Sequence, residues 1–285
     1  MKFIDQLEAR WTGSDTMLCV GLDPNPARLP KTASGAAVPV YDFCRDIIDA
    51  TADTVCAFKP QFAYFAAMRE LDALERLTAY IHERHPGIPV ILDAKRGDIG
   101  STARAYAVEA FEVYGADAVT LSPYMGFDTV EPYLEYEDKG VFLLCRTSNP
   151  GGADIEMLQA GERKVFEHVA ANASERWNTN GEMGLVVGAT FPGELAAVRR
   201  LAPKLPFLVP GIGAQGGDIN AAVRAGVTSS GWGMVINSSR AVIYAGNGPD
   251  FADAARAKAI ETRDAIRAAQ ASQGLMTDFL QEAEE

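Results

Sequence analysis

Positive charge is scarce in this sequence. Its 285 residues include 26 Lys and Arg against 38 Asp and Glu, a formal net charge of −12. That balance argues against a broad nucleic-acid surface, because phosphate backbones are gripped by Lys and Arg. A small anionic ligand stays open, since it needs just a local positive pocket. Cysteine is also sparse: Cys19, Cys44, Cys56 and Cys145, no two of them spaced as CxxC. They read as small buried hydrophobes of a reduced protein. Long apolar runs are missing too. No stretch approaches the roughly 18 residues that mark a membrane helix. Asp5 and Glu8 interrupt the opening MKFIDQLEARW, which excludes a secretory signal there. A cytoplasmic protein that avoids membranes is expected. Histidine falls to three. His82 and His85 end one helical stretch and His168 lies within another, so they read as surface or capping residues, and no metal is expected. No Ser-His-Asp or Cys-His arrangement stands out for nucleophilic catalysis.

What is present is an ordinary globular composition, with 48% hydrophobic and 22% charged residues. Short apolar runs alternate with longer amphipathic stretches eight times. The runs fall at 17–22, 54–59, 89–95, 117–122, 140–146, 183–189, 206–211 and 231–237. Each has strand length and the Val, Ile, Leu and Phe content of parallel strands buried on both faces. Residues 62–85, 100–114 and 250–270 have helical spacing; in the second, Ala103, Tyr106, Ala107, Ala110, Phe111 and Tyr114 share one face. Repeated βα units predict an α/β fold, a single-domain (β/α)8 TIM barrel spanning 1–285. An open doubly wound sheet is the alternative. It lacks its usual GxGxxG after the first strand, where GLDPNP stands. Two stretches exceed the barrel minimum. Residues 24–39 read as a Pro-, Ala- and Gly-rich surface loop, and 149–182 as a Gly-rich loop followed by a long polar helix.

Barrel enzymes place their chemistry at the carboxyl ends of the strands. Here those ends supply Asp23, Lys59, the pair Asp93 and Lys95, and the run Arg146-Thr147-Ser148-Asn149. Strand side chains alternate, so Ile91, Asp93 and Lys95 share one face, as do Val55, Ala57 and Lys59. Charges in a barrel mouth are costly unless paired. A buried salt bridge that fixes strand register is the structural reading of Asp93-Lys95. The convergence of Lys59 and Asp23 on the same mouth favours chemistry. PGIGAQGG at 210–217 and Ser-Ser-Arg at 238–240 follow the seventh and eighth strands, where many barrels hold phosphate. Glycines let backbone N–H groups close on an anion, and Arg240 adds a forked donor.

These segments resemble the orotidine 5′-phosphate decarboxylase family. The resemblance rests on LDAKRGDIGSTA at 92–103, with its Asp-x-Lys-x-x-Asp signature Asp93, Lys95 and Asp98. It extends through GLDPNP at 21–26, FKPQFAYF at 58–65, RTSNPGG at 146–152 and VPGIGAQGGD at 209–218, nearly the whole chain. The two long loops are similar to the longer bacterial, type 2 subgroup. What the resemblance implies is decarboxylation of orotidine 5′-phosphate to UMP and CO₂ in de novo pyrimidine biosynthesis, without a cofactor or metal. It implies Lys95 as proton donor to the pyrimidine C6, Asp93 against the substrate carboxylate, and Lys59 and Asp23 on ribose hydroxyls. Gln215 and Arg240 would hold the phosphate, Ser148 would read the pyrimidine ring and Pro210 would line its edge. Asp98, Ile99 and Thr102 would come from the partner subunit of a homodimer with a shared site.

Other readings remain. A Mg²⁺-dependent sugar-phosphate decarboxylase or aldolase of the same superfamily would use Asp93 and Asp98 as ligands, against the repulsion of Lys59 and Lys95. A Schiff-base aldolase needs a neutral lysine, which flanking carboxylates oppose. A non-catalytic nucleotide-binding regulator would keep the pocket and lose turnover.

Overall fold

The computed structural model describes residues 1–31, 35, 37–212 and 217–282, with side chains through Gln273. Eight parallel strands form its centre: β1 Leu18–Leu22, β2 Ala57–Pro60, β3 Ile91–Arg96, β4 Ala118–Leu121, β5 Gly140–Arg146, β6 Met183–Val187, β7 Phe207–Val209 and β8 Met234–Ser238. Their hydrogen-bonded order is β2-β1-β8-β7-β6-β5-β4-β3. Parallel bridges Phe58 to Val90 and Gln61 to Asp93 join β2 to β3 and close the ring. The strands are apolar because helices cover their outer face while their inner side chains fill the barrel. Every residue of β1, β2, β4, β6, β7 and β8 is buried.

Helices surround the strands in chain order: α1 Phe3–Gly13, α2 Val40–Thr51, α3 Phe62–Met68, α4 Leu71–Arg84, α5 Gly100–Val108, α6 Glu131–Leu134, α7 Val165–Asn172, α8 Pro192–Leu201, α9 Ile219–Gly226, α10 Arg240–Ile243 and α11 Phe251–Glu282. Among the described residues no helix is long and apolar enough to cross a membrane. Helix α1 closes the amino-terminal end of the barrel. Its Phe3 ring meets Phe142 edge-on, and Glu182 Oε2 accepts the Ile4 N–H at 2.7 Å. Gly140 is required beneath it, because a Cβ there would overlap the Phe3 ring.

Three sequence expectations change in detail. The stretch 62–85 is two helices, because Arg69 adopts a left-handed φ of +61° and caps α3 through its N–H to Ala66. The stretch 100–114 is α5 followed by a π-turn over Glu109–Val113, closed by Tyr114 N–H on Glu109 O. Residues 149–182 divide: 150–164 form a 3₁₀ turn and a two-residue antiparallel ribbon, while α7 is the barrel's own crossover helix, with Phe166, Ala170 and Ala171 buried. The polar helix expected there is thus short and half apolar. All four cysteines are unpaired and buried. Burial pushes the Cys19 thiol up to about 12, so it stays protonated and unreactive.

Candidate active site

The strand ends converge on a cavity of about 420 Å³, within the size range of small-molecule sites. Its centre is the carboxylate of Asp93, a residue 6% exposed midway along β3. Each oxygen accepts an ammonium: Oδ2 takes Lys59 Nζ at 2.8 Å and Oδ1 takes Lys95 Nζ at 2.6 Å. Gln61 Nε2 adds a bond to Oδ2 at 2.9 Å, and the Thr120 hydroxyl donates to Oδ1 at 2.9 Å. Four donors on one carboxylate are what make a buried charge here tolerable.

Electrostatics follow from this packing. Burial opposes the charged form of Asp93, but Lys59 and Lys95 outweigh it and hold the acid well below the usual carboxylate range. Burial likewise pulls the Lys59 ammonium down. The charges of Asp93 and Asp23 overcome that and hold it above the ordinary lysine value. Both groups are therefore ionised at neutral pH. Lys95 differs in access: its side chain is 48% exposed to the cavity mouth, whereas that of Lys59 is 5% exposed. One amine is locked in the network, and the other is anchored but reachable.

The backbone explains how Lys95 gets there. Register with β4 shifts between Leu92 and Arg96, and Lys95 takes a left-handed φ of +47°. Such a conformation costs a non-glycine residue about 1–3 kcal/mol. Thr120 Oγ1 accepts the Lys95 N–H at 2.9 Å while its proton goes to Asp93. A single hydroxyl on β4 thus fixes both the acid and the backbone of its lysine. Regular alternation predicted that Asp93 and Lys95 would share a face. They do meet in the cavity, by way of a bulge rather than a continuous pleat.

Around this centre the cavity is lined by Asp23, Thr147, Ser148, Asn149, Pro210, Asn237, Ser239 and Arg240, with Leu144, Val186 and Leu208 as an apolar wall. Asp23 lines the cavity, and its Oδ1 is buried without a hydrogen-bond partner among the described residues. Arg240 stands exposed at the start of α10, three strands round the barrel from Lys95. Of the residues singled out from sequence, Asp23, Lys59, Asp93, Lys95, Ser148, Pro210 and Arg240 come together here. Asp98, Ile99 and Thr102 do not line this chain's cavity. Asp98 Oδ1 accepts the Ile99 N–H at 2.8 Å, and Ile99 is 58% exposed. Gln215 lies outside the described residues. Sequence reasoning missed Thr120, Asn237 and the role of Gln61. Their signal was a polar residue on the inward face of an otherwise apolar strand, or at its end.

Fold and mouth together define a (β/α)8-barrel enzyme that sets an ammonium–carboxylate network against a separate guanidinium. The family model described as orotidine 5′-phosphate decarboxylase / HUMPS family matches residues 16–256, and the chain belongs to that family. It is 62% identical over 266 residues to the orotidine 5′-phosphate decarboxylase of Cupriavidus metallidurans, covering 93% of this chain and 98% of that one. Identity to the Dechloromonas aromatica enzyme of the same name is 63% over 266 residues, with the same coverage. Among solved structures, the OMP decarboxylase of Leishmania donovani superposes with a TM-score of 0.82 at 42% identity, covering 95% of this chain and 99% of that one.

Proposed function

We propose that the chain decarboxylates orotidine 5′-phosphate to UMP and CO₂ in pyrimidine biosynthesis, with no cofactor, as a cytoplasmic homodimer. The observation that carries the reading is the Lys95 ammonium, bonded to Asp93 at 2.6 Å yet open to the cavity. In the reaction the bond from C6 to the carboxylate carbon breaks and CO₂ leaves. The electron pair remains on C6, where Lys95 stabilises it and donates the proton that forms the C6–H bond. The neutral amine then recovers its proton from water. Asp93 faces the substrate carboxylate. Two like charges about 4 Å apart repel by about 4 kcal/mol at an effective dielectric of 20, and that repulsion vanishes as CO₂ departs. Because a good enzyme lowers its barrier by up to about 23 kcal/mol, the greater share falls to Lys95 and the preorganised network. The apolar wall of Leu144, Val186 and Leu208 strengthens these interactions by excluding water.

The remaining groups bind. Lys59 and Asp23 take ribose hydroxyls, Arg240 and Gln215 the phosphate, Ser148 the pyrimidine ring, and Pro210 its edge. Phosphate binding far from C6 helps the chemical step by fixing the ring against Lys95. Asp98, Ile99 and Thr102 serve the cavity of a second copy. The support for this is apolar exposure: Ile99, Val108, Val113, Tyr124 and Met125, all within 99–125, are five of the eight most exposed large hydrophobics among the described residues.

The Mg²⁺-dependent alternative fits the donor set poorly, because a cation on Asp93 must displace two ammoniums. Nothing in the network favours a regulator that has lost turnover, since Lys59, Asp93 and Lys95 are paired within the cavity. Purified protein is expected to consume orotidine 5′-phosphate in EDTA, releasing CO₂ and UMP in equal amounts. Activity that vanishes in EDTA and returns with Mg²⁺ would sink the cofactor-free reading.

A further inference from the structure

The segment 150–164 lies outside the barrel, yet one of its side chains reaches back to the cavity's edge. Glu156 Oε2 accepts from Arg146 Nη1 and from the Thr147 N–H, each at 2.9 Å, and the Thr147 hydroxyl donates to Oε1 at 2.6 Å. Thr147 Oγ1 also lies 2.7 Å from the Asn149 side-chain amide. The facing atom is Asn149 Oδ1, so the one hydroxyl proton is shared between it and Glu156 Oε1. Arg146 is 3% exposed, with its guanidinium over the Phe191 ring. Gly152 permits the cluster: a Cβ there would stand 2.6 Å from Glu156 Oε2 and 2.8 Å from Thr147 Oγ1.

These bonds are not needed to hold the barrel, because β5 is already paired with β4 and β6. What they hold is Thr147, Ser148 and Asn149, all of which line the cavity. Ser148 is pressed from the other side as well, since a Cβ on Gly188 would lie 2.8 Å from its Cα and Cβ. Its hydroxyl makes no hydrogen bond among the described residues, so it is held in place and left free for a ligand. A buried ion pair is weak evidence for stability and better suited to fixing a geometry.

We infer that Glu156 is a positioning residue that sets Thr147–Asn149 for recognition of the ligand's planar base, and that this is what the segment after β5 does. The inference rests on the nucleotide reading above. It makes a distinctive prediction about the conservative variant. In Glu156→Gln the amide oxygen still accepts from Arg146 and the Thr147 N–H. The amide NH₂ donates to Thr147 Oγ1, whose proton turns to Asn149 Oδ1. Glu156→Ala has no such recourse.

The test is calorimetric titration of UMP and of ribose 5-phosphate, which lacks the base, into the wild type and both variants. Glu156→Ala should weaken UMP by at least about tenfold and ribose 5-phosphate by less than about twofold, the scale of losing one charge-assisted hydrogen bond. Glu156→Gln should stay within about threefold of wild type for both. Equal weakening of the two ligands by the Ala variant, or unaltered UMP binding, overturns the inference; so does a Gln variant as impaired as Ala. If the Ala variant fails to fold, Thr147→Val must show the same loss confined to UMP. A wild type that binds UMP no better than ribose 5-phosphate removes the nucleotide reading itself, and the inference falls with it.

Discussion

Lys95 combines two demands on one residue: an ammonium reachable from the cavity and a backbone conformation that glycine tolerates best. Replacing it separates them. Lys95→Ala should abolish measurable turnover while leaving UMP binding largely intact. Lys95→Gly should be equally inactive but more stable than the Ala variant by about 1 kcal/mol, some 2–4 °C in melting temperature for a chain of this size. Equal melting temperatures in the two variants would remove the strain argument. Asp93 offers a second test through its depressed pKa. An acid lowered by folding contributes stability that is fully present above its unfolded value and lost as pH falls through the folded one. Wild-type stability should therefore decline from about pH 4 downward in part through Asp93. Asp93→Asn, although less stable at neutral pH, should lose stability less steeply between about pH 5 and 3. Melting curves across that range, with parallel slopes for the two proteins, would exclude Asp93 as a contributor. For Lys59 the sign is opposite: its contribution holds below the ordinary lysine value and disappears as pH rises through the elevated one.

Elements differ in how well the sequence announced them. All eight strands were legible because burial on both faces leaves apolar runs such as MLCVGL and GVFLLCR. The charged strand ends were legible for the complementary reason, that Asp93, Lys59 and Lys95 interrupt those runs. The bulge in β3 was not, since nothing in LDAKRGD distinguishes a left-handed lysine from a pleated one. The division of 62–85 was also hidden, because Arg69 takes a conformation usually marked by glycine. Thr120 was invisible for a different reason: a β-branched residue in AVTL reads as a strand former, and its hydroxyl matters just because β3 bulges toward it. Thr120→Val keeps the shape and removes the hydroxyl, leaving the Lys95 N–H without its acceptor. Turnover should fall by about tenfold to a hundredfold, the effect of losing a hydrogen bond to a charged group, with Thr120→Ser near wild type. Unchanged kcat in the Val variant would show that β4 takes no part in positioning Lys95.

At the scale of the whole molecule, a single chain presents a cavity with Lys95 and Arg240 but leaves Asp98, Ile99 and Thr102 outside it. If a second copy completes the site, mixing inactive Lys95→Ala and Asp98→Ala chains should restore turnover in the hybrid dimers, because one of their two cavities then has every group. Verified hybrids with no recovery would confine the site to one subunit. The expectation of a dimer rests on the resemblance; composition and periodicity say nothing about whether exposed apolar side chains such as Ile99 meet a second copy. The other end of the barrel is quite different. There α1 is docked over the strand starts, with Phe3 against Phe142 and Met1 exposed. A protein fused ahead of Met1 therefore emerges on the face remote from the substrate's entrance, and a surface to which the chain is tethered by that end would leave the entrance facing the solution.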